Sequence, residues 1–324
     1  MKALLCREFG PEASMKVEEI DTPELKPGHV LIDVKAGGLN FPDLLCVRGQ
    51  YQFRPELPFV PGTEGAGIVA AAGEGVDGFA PGDHVMFNAP TGAFAAQAVV
   101  PAASLTKIPD SMPFEAAAGL TIVYGTSYHA LKQRAELKPG QTLLVLGAAG
   151  GVGLATVELG KAMGAKVIAA ASSDEKLAVC KEHGADELIN YSTEDLKARV
   201  KELTGGKGVD VIYDPVGGDY AEAAFRGIAF GGKHLVIGFA AGEIPKLPLN
   251  LPLLKVASVV GVFWGAWAGA FPGEHRKNMQ ELFDMFEAGK IKPYVAGTYK
   301  LEDFLDAFNS LSGRKAIGKV VLVP

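Results

Sequence analysis

Apolar and polar positions change their rhythm twice along the chain. In the N-terminal part, short apolar stretches at 30–34, 65–70 and 95–100 are separated by Pro27-Gly28, Pro61-Gly62 and Pro81-Gly82. Apolar runs punctuated in this way predict an all-β lobe, because proline presets one turn dihedral and glycine accepts the left-handed one. Between Phe114 and Ala135 the pattern turns helical, with Pro113 placed to open a helix. From Thr142 onward the rhythm is strand, glycine turn, helix, strand. Strands are expected at 143–146, 166–170, 187–189, 209–213 and 234–237, and helices at 152–163 and 175–183. Such alternation predicts a parallel sheet covered by helices on both faces. Helices at 279–288 and 301–311 then precede a last strand, 319–323, expected to return to the first lobe.

Composition narrows the class. A chain of 324 residues, 48% hydrophobic, is long enough for two cored domains, and two lobes with a cleft between them are the default expectation. The net charge of -6 comes with scattered Lys and Arg, so no basic face suggests nucleic acid as a partner. Met1 leads directly into Lys2 and a strand-like run without the pattern of a secretory leader, and a cytoplasmic location is expected. The strongly apolar segment 251–271 holds Trp264 and Trp267, yet Pro252, Lys255 and Gly261 interrupt it. A spanning helix wants about 20 uninterrupted apolar residues, so buried strands or a subunit interface are expected there, and no membrane association. Cys6, Cys46 and Cys180 are widely spaced and odd in number, which supports neither a disulfide framework nor a cysteine-rich metal site.

The stretch 143–153 reads LLVLGAAGGVG, an apolar strand entering a glycine turn where a helix begins. A turn without side chains lets backbone N–H groups reach a pyrophosphate at the positive helix end. The motif departs from G-x-G-x-x-G: Ala148 stands at the first glycine position, Ala149 follows, and Gly150, Gly151, Val152 and Gly153 lead into the helix. At the end of the second strand an acidic residue would bind the adenine ribose hydroxyls of NAD. Here the strand ends in Ser172-Ser173, and Lys176 follows, suited to pair with a 2′-phosphate. NADPH is therefore favoured over NADH. A plainer alternative is that Asp174 and Glu175 only open the helix and Lys176 is a solvated surface charge.

These segments together resemble a family. GTEGAGIV at 62–69, PGDHV at 81–85, KPGQTLLVLGAAGGVG at 138–153, GAKVIAAASSDEK at 164–176 and VDVIYDPVGG at 209–218 are similar, in this order, to the medium-chain dehydrogenase/reductases. In the zinc alcohol dehydrogenases of that superfamily the stretches like 38–43 and 61–65 carry a ligand cysteine and a ligand histidine. Asn40 and Thr63 stand there instead, poor zinc ligands beside thiolate and imidazole, and no cysteine lies between Cys46 and Cys180 to build a structural zinc lobe. No metal site is expected. The pattern Asn40, Asp43, Gly49-Gln50-Tyr51 resembles the quinone oxidoreductase branch, which includes zeta-crystallin-like enzymes.

That resemblance implies an α/β protein with a Rossmann doubly wound parallel sheet at 122–262 and a GroES-like β-rich catalytic domain at 1–121 completed by 263–324. It implies that Asn40, Asp43, Tyr51 and Thr126 form the catalytic set beside the nicotinamide. It also implies that Tyr191 lies against the adenine, that Gly238, Phe239, Val262 and Phe263 flank the cofactor, and that Arg314 is a basic residue near the phosphates. A homodimer joined through 245–263 is implied as well. Leu45 stands where some members carry a second tyrosine. Each residue also has a structural alternative: Asn40 and Asp43 can cap a helix or turn, Tyr51 can pack on the lobe surface, and Tyr191 can be ordinary core.

The activity these features imply is hydride transfer from NADPH to a quinone, with Asn40, Thr126 and Tyr51 orienting or polarising the acceptor. The sequence shows no acid-base dyad, and a quinone can take its proton from solvent. Reduction of an enone or enoyl-CoA double bond is the alternative reaction, for which Tyr51 or Tyr124 would be the proton donor. A non-enzymatic alternative is a structural or RNA-binding role of the kind some zeta-crystallin-like proteins serve.

Overall fold

The computed structural model describes residues 1–324. The chain divides into two compact units, residues 1–122 with 293–324, and residues 123–292. In chain order the elements are β1 (Lys2–Leu5), β2 (Lys16–Glu19), β3 (His29–Leu39), α1 (Phe41–Val47), β4 (Glu64–Ala72), β5 (His84–Asn88), β6 (Gln97–Pro101), β7 (Leu105–Lys107), α2 (Phe114–Ala118) and α3 (Thr121–His129). They continue with β8 (Thr142–Leu146), α4 (Gly151–Ala162), β9 (Lys166–Ala171), α5 (Asp174–Glu182), β10 (Glu187–Asn190), α6 (Leu196–Leu203), β11 (Val209–Asp214), α7 (Gly218–Arg226) and β12 (Ile228–Val236). Last come α8 (Asn250–Lys255), β13 (Ser258–Gly261), α9 (Trp264–Ala270), α10 (Pro272–Glu287), β14 (Val295–Lys300), α11 (Phe304–Ser312) and β15 (Lys319–Val323).

In the first unit a seven-stranded sheet runs β14-β15-β3-β4-β5-β7, with β6 paired to β3. The closing strand does return: β15 pairs antiparallel with β3, Val320 opposite Leu39 and Leu322 opposite Gly37. Its core is built from Val30, Ile32, Val34, Val69, Phe87, Phe94 and Phe308, and alternation along β3 is what places Val30, Ile32 and Val34 on one face. The close neighbours of β3 need glycine. A Cβ on Gly38 would sit 2.2 Å from the Ala118 carbonyl oxygen, so α2 packs against the strand only because no side chain stands there.

The second unit is a parallel sheet in the order β10-β9-β8-β11-β12-β13. Strand order reverses between β8 and β11, which is the topology of a doubly wound dinucleotide-binding sheet. Leu144, Leu146, Ile168, Ala170, Ile189, Ile212 and Phe225 are buried in its core, consistent with near-continuous apolar strands covered on both faces.

The structure moves one boundary. The expected end of the Rossmann lobe at residue 262 becomes 292, because α9 and α10 pack with the second unit instead of the first. Trp264 lies against Gly125, where a Cβ would come within 2.9 Å of the indole, and the Tyr128 hydroxyl donates to Glu281 at 2.5 Å. The segment expected as buried strands or a subunit interface is not buried within the chain: β13 is an edge strand with Val259 exposed, and Leu253 and Leu254 on α8 are exposed. No helix is long and apolar enough to cross a membrane.

Candidate functional site

In the second unit the residues singled out for the cofactor fall at the carboxyl ends of successive strands. The turn after β8 is formed by Gly147, which adopts φ +56°, while the Ala148 N–H donates to the Ala170 carbonyl at 3.0 Å. The left-handed turn residue is thus Gly147, one position before the alanine that replaces the first glycine of the standard motif, and Ala148 needs no unusual conformation. Gly150 precedes α4, and a Cβ on Gly153 would meet the Gly147 carbonyl oxygen at 2.2 Å. Closeness of this kind puts the first-turn N–H groups of Gly151, Val152 and Gly153 at the end of the strand, where helix geometry leaves them without intrahelical acceptors. The turn is braced from beneath: the Ser127 hydroxyl donates to the Val152 carbonyl at 3.0 Å and pairs with the Tyr213 hydroxyl at 2.9 Å. Thr126, next to Ser127 on α3, is partly exposed.

At the end of β9, Ser173 caps α5 and accepts from the Lys176 N–H. The Lys176 ammonium donates to the Ser172 hydroxyl at 3.1 Å. No acid takes the strand-end position, and Asp174 is turned aside by the Asn190 amide at 2.7 Å. At the end of β10, Tyr191 packs its ring on Tyr220 with centroids 4.5 Å apart. Beyond β12, Phe239 covers Gly217, whose Cβ position lies 3.0 Å from the ring; Gly238 beside it is partly exposed. Val262 follows β13, its N–H bonded to the Val236 carbonyl at 3.0 Å, and Phe263 is exposed. These strand ends form one edge of one sheet, the edge at which doubly wound sheets bind ligands. The glycine turn and the Ser172, Lys176 pair fit a dinucleotide carrying a 2′-phosphate. A separate surface cavity of about 550 Å³ at α6 and α7, lined by Asp195, Lys197, Asp219, Glu222, Arg226 and Lys246 among others, contains none of them.

In the first unit Asn40, Asp43, Glu64 and Lys319 form a buried polar network. Asn40 caps α1: its backbone N–H donates to Asp43 Oδ2 at 2.8 Å, completing a capping box. Its side-chain Nδ2 donates to the Gly38 carbonyl at 3.2 Å and to Glu64 Oε1 at 2.8 Å. The Lys319 ammonium donates to Asn40 Oδ1 and to Glu64 Oε1, both at 2.6 Å. Glu64 Oε2 accepts from the Ile122 N–H at 2.8 Å, and Asp43 Oδ1 accepts from the Thr63 hydroxyl at 3.1 Å.

This network corrects one expectation. Both amide hydrogens of Asn40 are already donated within the protein, to Gly38 and to Glu64, so Asn40 has no free donor with which to polarise an acceptor. Asp43 is buried behind Thr63, while Tyr51 is partly buried against the same core. Burial pushes the Asp43 carboxyl up to about 7, opposed chiefly by the Asn40 N–H and by Lys319. Burial, then the charges of Asp43 and Cys46, raises the Tyr51 hydroxyl. Arg314 is exposed at the start of the loop before β15 with φ +55°. Tyr124, one of the two candidate proton donors for double-bond reduction, is buried and donates to Glu158 at 2.5 Å, which commits its proton to an internal partner.

Sequence reasoning missed Glu64 and Lys319 and read Thr63 only as a missing histidine. Both of the missed residues lie inside motifs that were read, GTEGAGIV and the final strand, but no local pattern links positions 255 apart. The same network does not fit zinc. An ammonium sits between Asn40 and Glu64, where a divalent cation would meet a fixed positive charge, and no cluster of three or more His, Cys, Asp or Glu side chains is arranged to hold a metal ion.

Family models agree with this architecture. Residues 26–110 match the alcohol dehydrogenase GroES-like domain and residues 151–287 match the zinc-binding dehydrogenase domain. A quinone oxidoreductase-like protein 2 homolog of Nematostella vectensis is 42% identical over 99% of the chain and 88% of its own length. The chain belongs to the quinone oxidoreductases of the medium-chain dehydrogenase/reductase family. Among solved structures, Escherichia coli quinone oxidoreductase complexed with NADPH superposes with a TM-score of 0.92 at 31% identity, covering all of both chains. A quinone oxidoreductase from Pseudomonas syringae pv. Tomato DC3000 gives a TM-score of 0.92 at 36% identity over 100% of this chain and 99% of its own.

Proposed function

We propose that this member of the family is an NADPH-dependent reductase that passes a hydride to a quinone. The observation that carries the cofactor choice is the Lys176 ammonium held on Ser172 at the end of β9, where a 2′-phosphate would find a cation, a hydroxyl and the N-terminus of α5. In this reading the turn 147–153 takes the pyrophosphate, Tyr191 takes the adenine, and Gly238, Phe239, Val262, Phe263 and Arg314 complete the cofactor contacts. NADPH supplies the hydride when bound. Thr126 and Tyr51 are the residues expected to orient the acceptor, and Asn40 holds the start of α1 in place through its N–H bond to Asp43.

Support for a quinone as the acceptor is the likeness to quinone oxidoreductases together with residues that do not fit zinc. The test is loss of NADPH absorbance with a panel of quinones, enones and an enoyl-CoA, each repeated with NADH. Turnover confined to enones or acyl-CoA would overturn the quinone reading. Lys176→Ala is expected to weaken NADPH binding by roughly 10- to 100-fold, the worth of a charge-assisted hydrogen bond, and to leave NADH binding unchanged. Equal loss for both cofactors would refute the 2′-phosphate assignment.

We propose also that the molecule is a cytoplasmic homodimer joined through β13 and α8. Phe230, Leu249, Leu253 and Leu254 are 71 to 82% exposed, and β13 leaves one edge of the parallel sheet unpaired. Monomeric proteins seldom leave so many large apolar groups together in water, nor a bare strand edge beside them. Light scattering after size exclusion is expected to give the mass of two chains, and Leu254→Glu with Val259→Lys is expected to give one. A monomeric wild type would remove the proposal.

A further inference from the structure

We propose that the Thr63 hydroxyl delivers the proton that completes quinone reduction, and that Asp43, buried behind it, is the group from which that proton comes. The proposal rests on the hydride-to-quinone reading above and assigns to it a donor, where bulk solvent would otherwise serve.

The geometry gives the two oxygens of Asp43 different partners. Asp43 Oδ2 accepts the Asn40 N–H at 2.8 Å, and an N–H facing that oxygen leaves no room for a second hydrogen between them. A proton on Asp43 is best partnered on Oδ1, the oxygen 3.1 Å from Thr63 Oγ1, because that hydroxyl can turn to accept it whereas the Asn40 N–H can only donate. When Asp43 is ionised the threonine donates to it. When Asp43 is protonated the bond reverses: Oδ1–H donates to Oγ1, and the threonine hydrogen is released to point elsewhere. Thr63 is partly exposed while Asp43 is buried, so the threonine is the outer end of the pair. Its backbone is held independently, its carbonyl accepting from the Asn88 amide at 3.0 Å and from the Ala89 N–H at 2.9 Å, so the hydroxyl can turn without moving the strand.

The step balances. Hydride transfer carries two electrons and one proton to the quinone and leaves a hydroquinone monoanion. The anionic oxygen then takes the Thr63 hydrogen, forming one O–H bond as the Thr63 O–H bond breaks. Thr63 is restored by the proton from Asp43 Oδ1, and the Asp43 carboxylate is reprotonated from water. The charged and titratable groups around Asp43 are Lys319 on β15, Glu64 on β4, Cys46 on α1 and Tyr51. Lys319 and Glu64 are paired to each other at 2.6 Å, which leaves Asp43 as the unpaired acid of the group. Its position near 7, set by burial, suits a group that must both hold and release a proton at neutral pH.

Thr63→Val keeps the shape of the side chain and removes the hydroxyl, Asp43→Asn keeps a hydrogen-bonding amide without a transferable proton, and Thr63→Ser restores the hydroxyl. Steady-state quinone turnover from pH 5.5 to 9 in H2O and D2O, with NADPH binding measured alongside, tests the relay. Wild-type kcat is expected to fall as pH rises through the ionisation of Asp43 and to be slower in D2O. The valine and asparagine variants should bind NADPH normally, lose roughly a hundredfold in kcat and lose the pH-dependent limb, and the serine variant should recover both. A valine variant that binds NADPH and retains the wild-type kcat and pH profile would overturn the relay while leaving the quinone reading standing. A wild type that turns over no quinone would overturn both.

Discussion

Lys319→Met is expected to lower the unfolding free energy by about 3–5 kcal/mol, among the largest effects of any single side-chain replacement in the first unit. The lysine is 4% exposed and its partner Glu64 is 0% exposed. Removing the ammonium leaves a carboxylate buried with only the Asn40 amide and the Ile122 N–H as donors. Desolvation of that carboxylate is then uncompensated, and burial of an unpaired charge is one of the few mechanisms that cost this much. Chemical denaturation of the wild type, Lys319→Met, Glu64→Gln and the double variant closes a thermodynamic cycle. The double variant should recover much of the loss, because no charge is then left alone. A single lysine variant within about 0.5 kcal/mol of wild type would show that the pair contributes nothing to stability. Because Lys319 also donates to Asn40 Oδ1, the cap of α1 should loosen with it, and quinone turnover should fall further than stability alone explains.

The second large effect belongs to the glycine turn. Gly153→Ala places a methyl group 2.2 Å from the Gly147 carbonyl oxygen and 2.8 Å from Ala148 Cα, both backbone atoms that cannot rotate aside. Either α4 or the turn must shift, at a strain of about 1–3 kcal/mol or more. The first-turn N–H groups shift with it, and a displacement of about 1 Å in a positioning element can cost on the order of a hundredfold in turnover. Calorimetric titration with NADPH and a melting curve should show weakened binding together with lowered stability. Gly273→Ala is the control: a Cβ there meets nothing within 4 Å, and stability and binding should stay near wild type. Wild-type NADPH affinity in Gly153→Ala would mean that the turn does not hold the pyrophosphate.

Much of the fold was legible in the chain because the signals are local. The apolar runs of β8, β9 and β11 and the glycine turn after β8 each lie within a few residues, and the expected bounds agree with the observed ones to within about a residue or two. That Ser172, Ser173 and Lys176 lie together at one strand end was also readable, since a strand end and the first turn of the next helix are adjacent in sequence, whereas the bond from Lys176 to Ser172 came from the structure. Short helix α1 was legible only as the alternative in which Asn40 and Asp43 cap a helix or turn: its 7 residues span less than two turns, too few for a helical period to emerge from a β-rich background. Residues 264–287 were assigned to the wrong lobe, because helical periodicity reports a buried face and not which core buries it.

The sequence by itself determined the class of protein, the order of its elements, the likeness to a zinc-free branch and which strand ends are candidates for the cofactor. Those properties are written in hydrophobic periodicity, glycine placement and residue types at fixed spacings. Tertiary structure alone decided that Asn40 spends its amide within the protein, that Lys319 reaches Glu64 across 255 positions, and that Tyr124 is committed to Glu158. It also decided that Asp43 is buried behind a threonine. Each of these depends on which side chains meet after the strands have paired, and burial and pairing set the charge, the free donors and the proton affinity of a group far more than its own residue type does.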